Sequence, residues 1–222
     1  MKTVLFCFYL IALCSFNALY AQEELGSGKL FSQFENGTVF FKNGGQSSAK
    51  LNYDMVQQQM LFLDKDGTEM KISDPLTIII VKIGERRFLP ASSRGVFYEE
   101  IQAGEGSFFV QRVAFFLSAG KAAGYGGYSQ TQASSSVGSL QPGGGTYEKL
   151  NSGDKFKQVT NFFYYLQSGS KYKKFYSAKT LGKLFKGHES EIEIFANKES
   201  INFRKMEDVA RMVEYCYSLI PL

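Results

Sequence analysis

Lys171-Tyr172-Lys173-Lys174-Phe175-Tyr176 is the stretch whose residue types point most directly to contact with another molecule. Aromatic faces set between cations stack on bases or sugars and hold polyanions. The same residues also suit an edge strand, where lysines discourage edge-to-edge pairing. A second aromatic group, Gly124-Tyr125-Gly126-Gly127-Tyr128-Ser129, lies upstream. Tyr125, Tyr128, Lys171, Tyr172, Lys173 and Lys174 are therefore the candidate partner-binding residues. The glycines around Tyr125 lack the last Gly of a dinucleotide fingerprint and open no expected helix. Gly120-Lys121 is followed by Ala122, and Phe115 stands where a phosphate loop needs its first Gly, so that motif fails too.

Metal and catalytic chemistry find little to work with. Asp64-Lys65-Asp66-Gly67 opens like a calcium loop, but Pro75 occupies the position of the closing Glu, which leaves a hairpin turn. Transition-metal sites need several His or Cys ligands, or carboxylates joined to them. His188 is the single histidine. It follows Gly187 and reads as a polar surface residue, whereas Cys216 lies on an apolar helix face and reads as a small hydrophobe. Nothing local supports a Cys216–His188 nucleophilic pair. Glycoside hydrolysis needs two carboxylates across a cleft. Glu99 and Glu100 are adjacent and should face opposite sides of a strand, and Glu189, Glu191 and Glu193 read as a solvated helix face. No catalytic residue, metal or cofactor is expected.

The N-terminus sets the compartment. Lys2 precedes the uncharged run Val4–Leu13, which has the length of a signal-peptide core. Crossing a bilayer takes roughly 20 apolar residues. Ser15 and Asn17 break the run, and cleavage after Ala21 is expected, although Leu19 is larger than the ideal. The competing readings are a buried N-terminal helix and lipidation at Cys14, where the preceding Leu13 is too large for the usual lipid signal. Residues 1–21 are thus expected to leave and 22–222 to form one exported domain. Losing Lys2 lowers the formal charge from +4 to +3, a mixed-sign surface that does not point to nucleic acid. No membrane-spanning segment remains in the mature chain, which leaves peripheral attachment open. Cys216 alone remains after cleavage, so no internal disulfide can form. The full chain holds 21 Phe and 13 Tyr, and burial of those that remain after cleavage must supply the stability.

The elements follow from turn chemistry and periodicity. Residues 29–118 read as β-rich, with short alternating runs split by Asn43-Gly44-Gly45, Asp64–Gly67 and Gly84-Glu85-Arg86. Thr77–Ile83 is the candidate central strand, and Ser107–Leu117 is a long strand with a helix over Phe108–Leu117 as its alternative. Sequential strands joined by short turns predict an antiparallel meander closing toward a small barrel or a sandwich. Residues 119–150 are rich in Gly, Ser, Ala and Gln and read as a long loop or linker. In 151–222, Gln158–Leu166 and Lys171–Ser177 form a hairpin. Short helices follow: one capped by Ser177 and ended by Gly187, one over Ser190–Asn197, and one burying Val209, Met212, Val213 and Cys216. The fold class is α+β.

Phe162-Phe163-Tyr164-Tyr165-Leu166, Leu181-Gly182-Lys183-Leu184-Phe185, Glu191-Ile192-Glu193-Ile194-Phe195 and Phe203 through Val209 carry a resemblance. With Gly37-Thr38-Val39-Phe40-Phe41-Lys42 and Leu51-Asn52-Tyr53-Asp54, they resemble uncharacterised exported proteins of the Bacteroidetes type. The resemblance implies export by a Gram-negative bacterium and a β-then-helix architecture; it implies no established activity. The leading expectation is a non-enzymatic periplasmic, cell-surface or extracellular protein that binds an envelope protein or polymer. The alternatives are a hydrolase acting on an envelope or extracellular polymer, and a structural accessory protein that pairs through a β-edge.

Overall fold

Period-2 alternation and glycine turns produce a sheet-dominated chain. The computed structural model describes residues 27–91, 95–118, 121–122, 128–129 and 156–220. The strands are β1 (Glu35–Phe41), β2 (Gln46–Asp54), β3 (Gln59–Leu63), β4 (Glu69–Lys71), β5 (Ile78–Ile83), β6 (Arg86–Pro90), β7 (Phe97–Ala103) and β8 (Gly106–Ser118). They continue with β9 (Lys121–Ala122), β10 (Tyr128–Ser129), β11 (Phe156–Ser168) and β12 (Lys171–Phe175). Helices α1 (Ala178–Gly182), α2 (Glu189–Lys198) and α3 (Met206–Ser218) close the described chain. Among the described residues, ten strands form one antiparallel sheet in the order β12-β11-β8-β7-β6-β5-β1-β2-β3-β4, and β9 pairs with β10. This is the α+β arrangement that the sequence predicts.

The chain does not meander straight through. It runs outward from β1 to β4 and then returns, so that β5 pairs with the free edge of β1. A second outward run, β5 to β8, continues into β11 and β12. The helical alternative for Phe108–Leu117 is replaced by β8, which pairs with β7 on one edge and with β11 on the other. Partners on both edges satisfy the backbone that a helix would have satisfied internally. Residues 119–155 are bracketed by a ladder that reaches its last partners at Ser118 and Phe156. Apart from 121–122 and 128–129, the expected Gly/Ser-rich loop and the signal segment lie outside the described residues.

One face of the sheet, here the inner face, carries two apolar clusters. Val39, Leu51, Tyr53, Val81, Phe88 and Phe97 gather with Met55 and Val56 at the β1–β6 end. Phe108, Val110, Tyr164, Leu166 and Phe175 gather beneath the helices, where they meet Leu181, Ile192, Val209, Met212 and Cys216. The β2–β3 turn reaches across to β8: the Ala114 N–H donates to the Met55 carbonyl at 2.9 Å, and Gln58 Nε2 donates to the Arg112 carbonyl at 2.6 Å. Gln58 holds a left-handed backbone at φ 60°. Its amide also donates to Met55 and accepts from Gln111, and these bonds hold it in a conformation that costs a non-glycine residue on the order of 1 kcal/mol.

The helices begin as expected and end differently. Ser177 caps α1 with a reciprocal Ser177–Thr180 capping box. α1 stops at Gly182 rather than at Gly187, because tight i→i+3 bonds to Leu181 and Gly182 take over the following turn. Gly187, at φ 92°, instead makes the turn into α2. α3 buries Val209, Met212, Val213 and Cys216, as its spacing predicts.

Within the helix-side cluster the Tyr164 hydroxyl is buried and has no hydrogen-bond partner among the described residues. Burial pushes its phenol up to about 12. Tyr164→Phe is expected to raise the urea midpoint, by about 1 kcal/mol of stability, because an unpartnered buried hydroxyl is costly. An unchanged or lower midpoint would mean that the hydroxyl is satisfied in solution.

Candidate functional site

The pleat decides what the basic-aromatic strand can do. Along β12, Tyr172 and Lys174 stand opposite Gln167 and Tyr165 of β11 on the outer face. Lys171 and Lys173 alternate to the helix side with Phe175, and both remain exposed at the sheet edge. The six sequence candidates are therefore not one cluster. Lys171 and Lys173 suit the role of charges that blunt an edge strand. Tyr128 lies in β10, opposite Ala122, and Tyr125 lies outside the described residues.

Around Tyr172 and Lys174 the outer face assembles residues from four strands. Tyr98 of β7 stacks on Tyr165 of β11 with centroids 4.5 Å apart and planes 12° apart. Tyr172 meets Tyr98 edge-on at 5.0 Å, and it meets Phe109 of β8 edge-on at 5.0 Å. The Lys174 ammonium sits 3.8 Å from the centroid of Phe163. The Tyr165 hydroxyl donates to Gln111 Oε1 at 2.9 Å. Phe109 is almost fully buried beneath this group, while Tyr98, Tyr165 and Tyr172 stay half-buried. The helices pack on the opposite face, so no described element covers the patch.

Burial raises the Tyr98 phenol above its ordinary range, and the neighbouring Tyr165 adds to this. Burial also raises Tyr172, with help from the charge of Glu100. Both groups stay protonated at neutral pH and are able to donate hydrogen bonds; neither is poised as an oxyanion nucleophile. The patch offers phenol edges, hydroxyl donors and one cation.

Glu99 and Glu100 face opposite sides, as their adjacency predicts. On the outer face, Arg87 Nε donates to Glu100 at 2.7 Å. On the inner face, Glu99 is only 4% exposed and lies between the two apolar clusters. Arg86 donates to it through Nε at 2.5 Å and Nη2 at 2.8 Å, and Arg112 Nε donates at 2.6 Å. Burial alone would raise the Glu99 carboxyl, but the Arg86 hydrogen bonds and the Arg112 and Arg86 charges outweigh it and hold it below the ordinary range. Arg86 also lies over the rings of Phe31 and Phe88, and Arg112 over Phe162. This is a structural ion-pair hub rather than an acid–base pair, because two arginines keep the carboxylate ionised and occupied.

The remaining sequence candidates take ordinary places. Asp64 Oδ1 accepts from the Asp66 and Thr68 N–H groups and closes its own turn. His188 Nδ1 lies 3.2 Å from Glu191 at the start of α2. Cys216 is fully buried and free, and burial pushes its thiol up to about 12, away from nucleophilic thiolate. Among the described residues no group of three or more His, Cys, Asp or Glu is arranged to hold a metal. No helix among them is long and apolar enough to cross a membrane.

Sequence reading missed Tyr98, Phe109 and Tyr165 as neighbours of Tyr172. The available signal was parity: these residues occupy outward positions of their strands, but only the sheet order shows that those strands are adjacent. Comparison with family models, with curated proteins and with solved structures finds no match for this chain. Fold and site by themselves define an α+β protein whose sheet is helix-covered on one face and carries a tyrosine-lysine patch on the other.

Proposed function

We propose that this chain is an exported, non-catalytic binding protein that engages a partner in the cell envelope through the outer face of its sheet. One observation carries the reading: Tyr98, Tyr165, Tyr172 and Lys174 converge from three strands on a face that no described element covers. Half-buried tyrosines held against one another lose little side-chain entropy on binding, which is why such rings recur as anchors at contact surfaces. The paired states of Glu99 and Glu100 weigh against a hydrolytic reading of those carboxylates. Export rests on the signal-like residues 1–21 and on the resemblance to exported proteins of the Bacteroidetes type. We read the Met55–Ala114 and Gln58–Arg112 hydrogen bonds as the closure of a small barrel, which would turn the patch outward on its wall.

The test is retention on immobilised envelope fractions of the producing cell. A Tyr98→Ala, Lys174→Ala double variant is expected to lose about tenfold in retention, the scale of two lost contact residues. Its far-ultraviolet circular dichroism should be unchanged. Retention equal to the parent protein would remove the patch from the function.

A further inference from the structure

The same outer face continues past β6 into a second feature. Thr38 and Phe40 of β1, Ser48 and Lys50 of β2, and Lys82 of β5 line an open groove of about 620 Å³. Lys50 and Lys82 are both exposed, and neither has an ion-pair partner among the described residues. Lys82 lies 5.4 Å from the Phe40 centroid, and the Thr38 and Ser48 hydroxyls are 3.4 Å apart. Among the described residues, no acidic side chain lines the groove.

Among the described side chains of the strands from β12 to β1, the outward charges are Lys174, Arg87, Lys82 and Glu100, and Glu100 is paired with Arg87. Beyond β1 the same face adds Lys50 and Asp54 of β2 and Glu69 and Lys71 of β4, with Glu69 paired to Lys29, so that Lys174, Lys82, Lys50 and Lys71 are the cations on it without an ion-pair partner among the described residues. Adjacent strands lie roughly 4.8 Å apart, so the outer surface runs about 34 Å from β2 to β12, measured along the curve of the sheet rather than straight across. A small ligand reaches one feature; only a polymer reaches both.

We infer that the outer face binds an acidic polysaccharide, with the Lys50–Lys82 groove as a carboxylate or sulfate subsite and the tyrosine-lysine patch as a second contact on the same chain. The inference rests on the binding role proposed above and assigns its ligand. Charge selects a polyanion. Stacking bears on which polyanion: Tyr98 and Tyr165 each turn one ring face to the other, which narrows the platform left for a flat base while ring edges remain for sugars. Thr38, Ser48 and Gln111 add neutral hydrogen-bonding groups of the kind that suit sugar hydroxyls.

The test titrates the purified protein with polygalacturonate, neutral dextran and a single-stranded oligodeoxynucleotide, following tyrosine emission, since the chain has no Trp. Polygalacturonate is expected to bind with an affinity that falls as salt rises; dextran is expected not to bind, and the oligonucleotide to bind at least tenfold more weakly. A Lys50→Ala, Lys82→Ala variant should lose about tenfold for polygalacturonate with no change in melting temperature, because both side chains are exposed. Parent-like affinity in that variant, or equal binding of the oligonucleotide, overturns the inference. If the Tyr98→Ala, Lys174→Ala variant still loses envelope retention while the lysine variant binds like the parent, the binding role stands and its acidic-sugar assignment fails.

Discussion

Glu99→Gln is expected to cost about 3–5 kcal/mol, the usual penalty for removing one member of a buried charge pair. The carboxylate accepts three hydrogen bonds from Arg86 and Arg112 in a layer between the two apolar clusters. Gln keeps the volume and loses the charge, which leaves two guanidinium groups facing each other with Arg112 only 12% exposed. For a domain whose total stability is about 5–15 kcal/mol, this is a large share. Urea unfolding measures it, and a shift below about 1 kcal/mol would show that the hub is solvated rather than buried. Acid has the same target. Because the folded Glu99 carboxyl is held below its ordinary value, its contribution is complete above the unfolded-state value of about 4.3 and is lost as pH falls through the lower folded value. In Glu99→Gln that component of the acid-limb slope should disappear. Replacing Arg86, Glu99 and Arg112 together by apolar residues of similar size should recover much of the loss, which separates a charge effect from a packing effect.

Phe175→Ala is expected to be comparably severe, at about 3–5 kcal/mol. Phe175 is the fully buried side chain of β12, and it packs against Tyr164 at 5.9 Å and Phe203 at 6.5 Å. Its removal opens a cavity beneath the helices and takes away the apolar hold on a short edge strand. Tyr172 and Lys174 ride on that strand, so the patch should loosen with it. Native-state hydrogen exchange should show protection lost across the β11–β12 ladder before the β1–β2 ladder. Phe175→Leu should cost markedly less. Equal protection at both ends of the sheet in the Ala variant would mean that β12 is held by its backbone pairing alone.

Much of the sheet is legible in the sequence because turn chemistry is local. Asn43-Gly44-Gly45 marks the β1–β2 hairpin, and Gly44 adopts the positive φ of 85° that the turn requires. Ser177 and the Val209–Cys216 spacing announce α1 and α3 for the same reason. What is not legible depends on strand order. Nothing between Phe41 and Ile78 states that β5 will return to β1, and this return brings the Phe40–Lys82 groove together. Arg86 reads as a turn residue and Arg112 as a polar interruption of an apolar strand; each acquires meaning only from Glu99, which lies on the strand between theirs and is offset by two residues from each. The division of Lys171 and Lys173 from Tyr172 and Lys174 was readable from period-2 alternation alone. Composition draws the eye to the cluster and hides its two faces.

The central β1–β5 pair has a consequence for birth order. The chain emerges N-terminus first, so β1 to β4 are complete while one margin of β1 still waits for β5. That margin stays open until the chain has advanced from Phe41 to Ile83. Gly37 sits on it, and β5 later comes so close that an added methyl would lie 2.6 Å from the Lys82 carbonyl. The bare backbone that admits the rightful neighbour equally admits a stranger during that interval, and the emerging protein is then most vulnerable to mispairing.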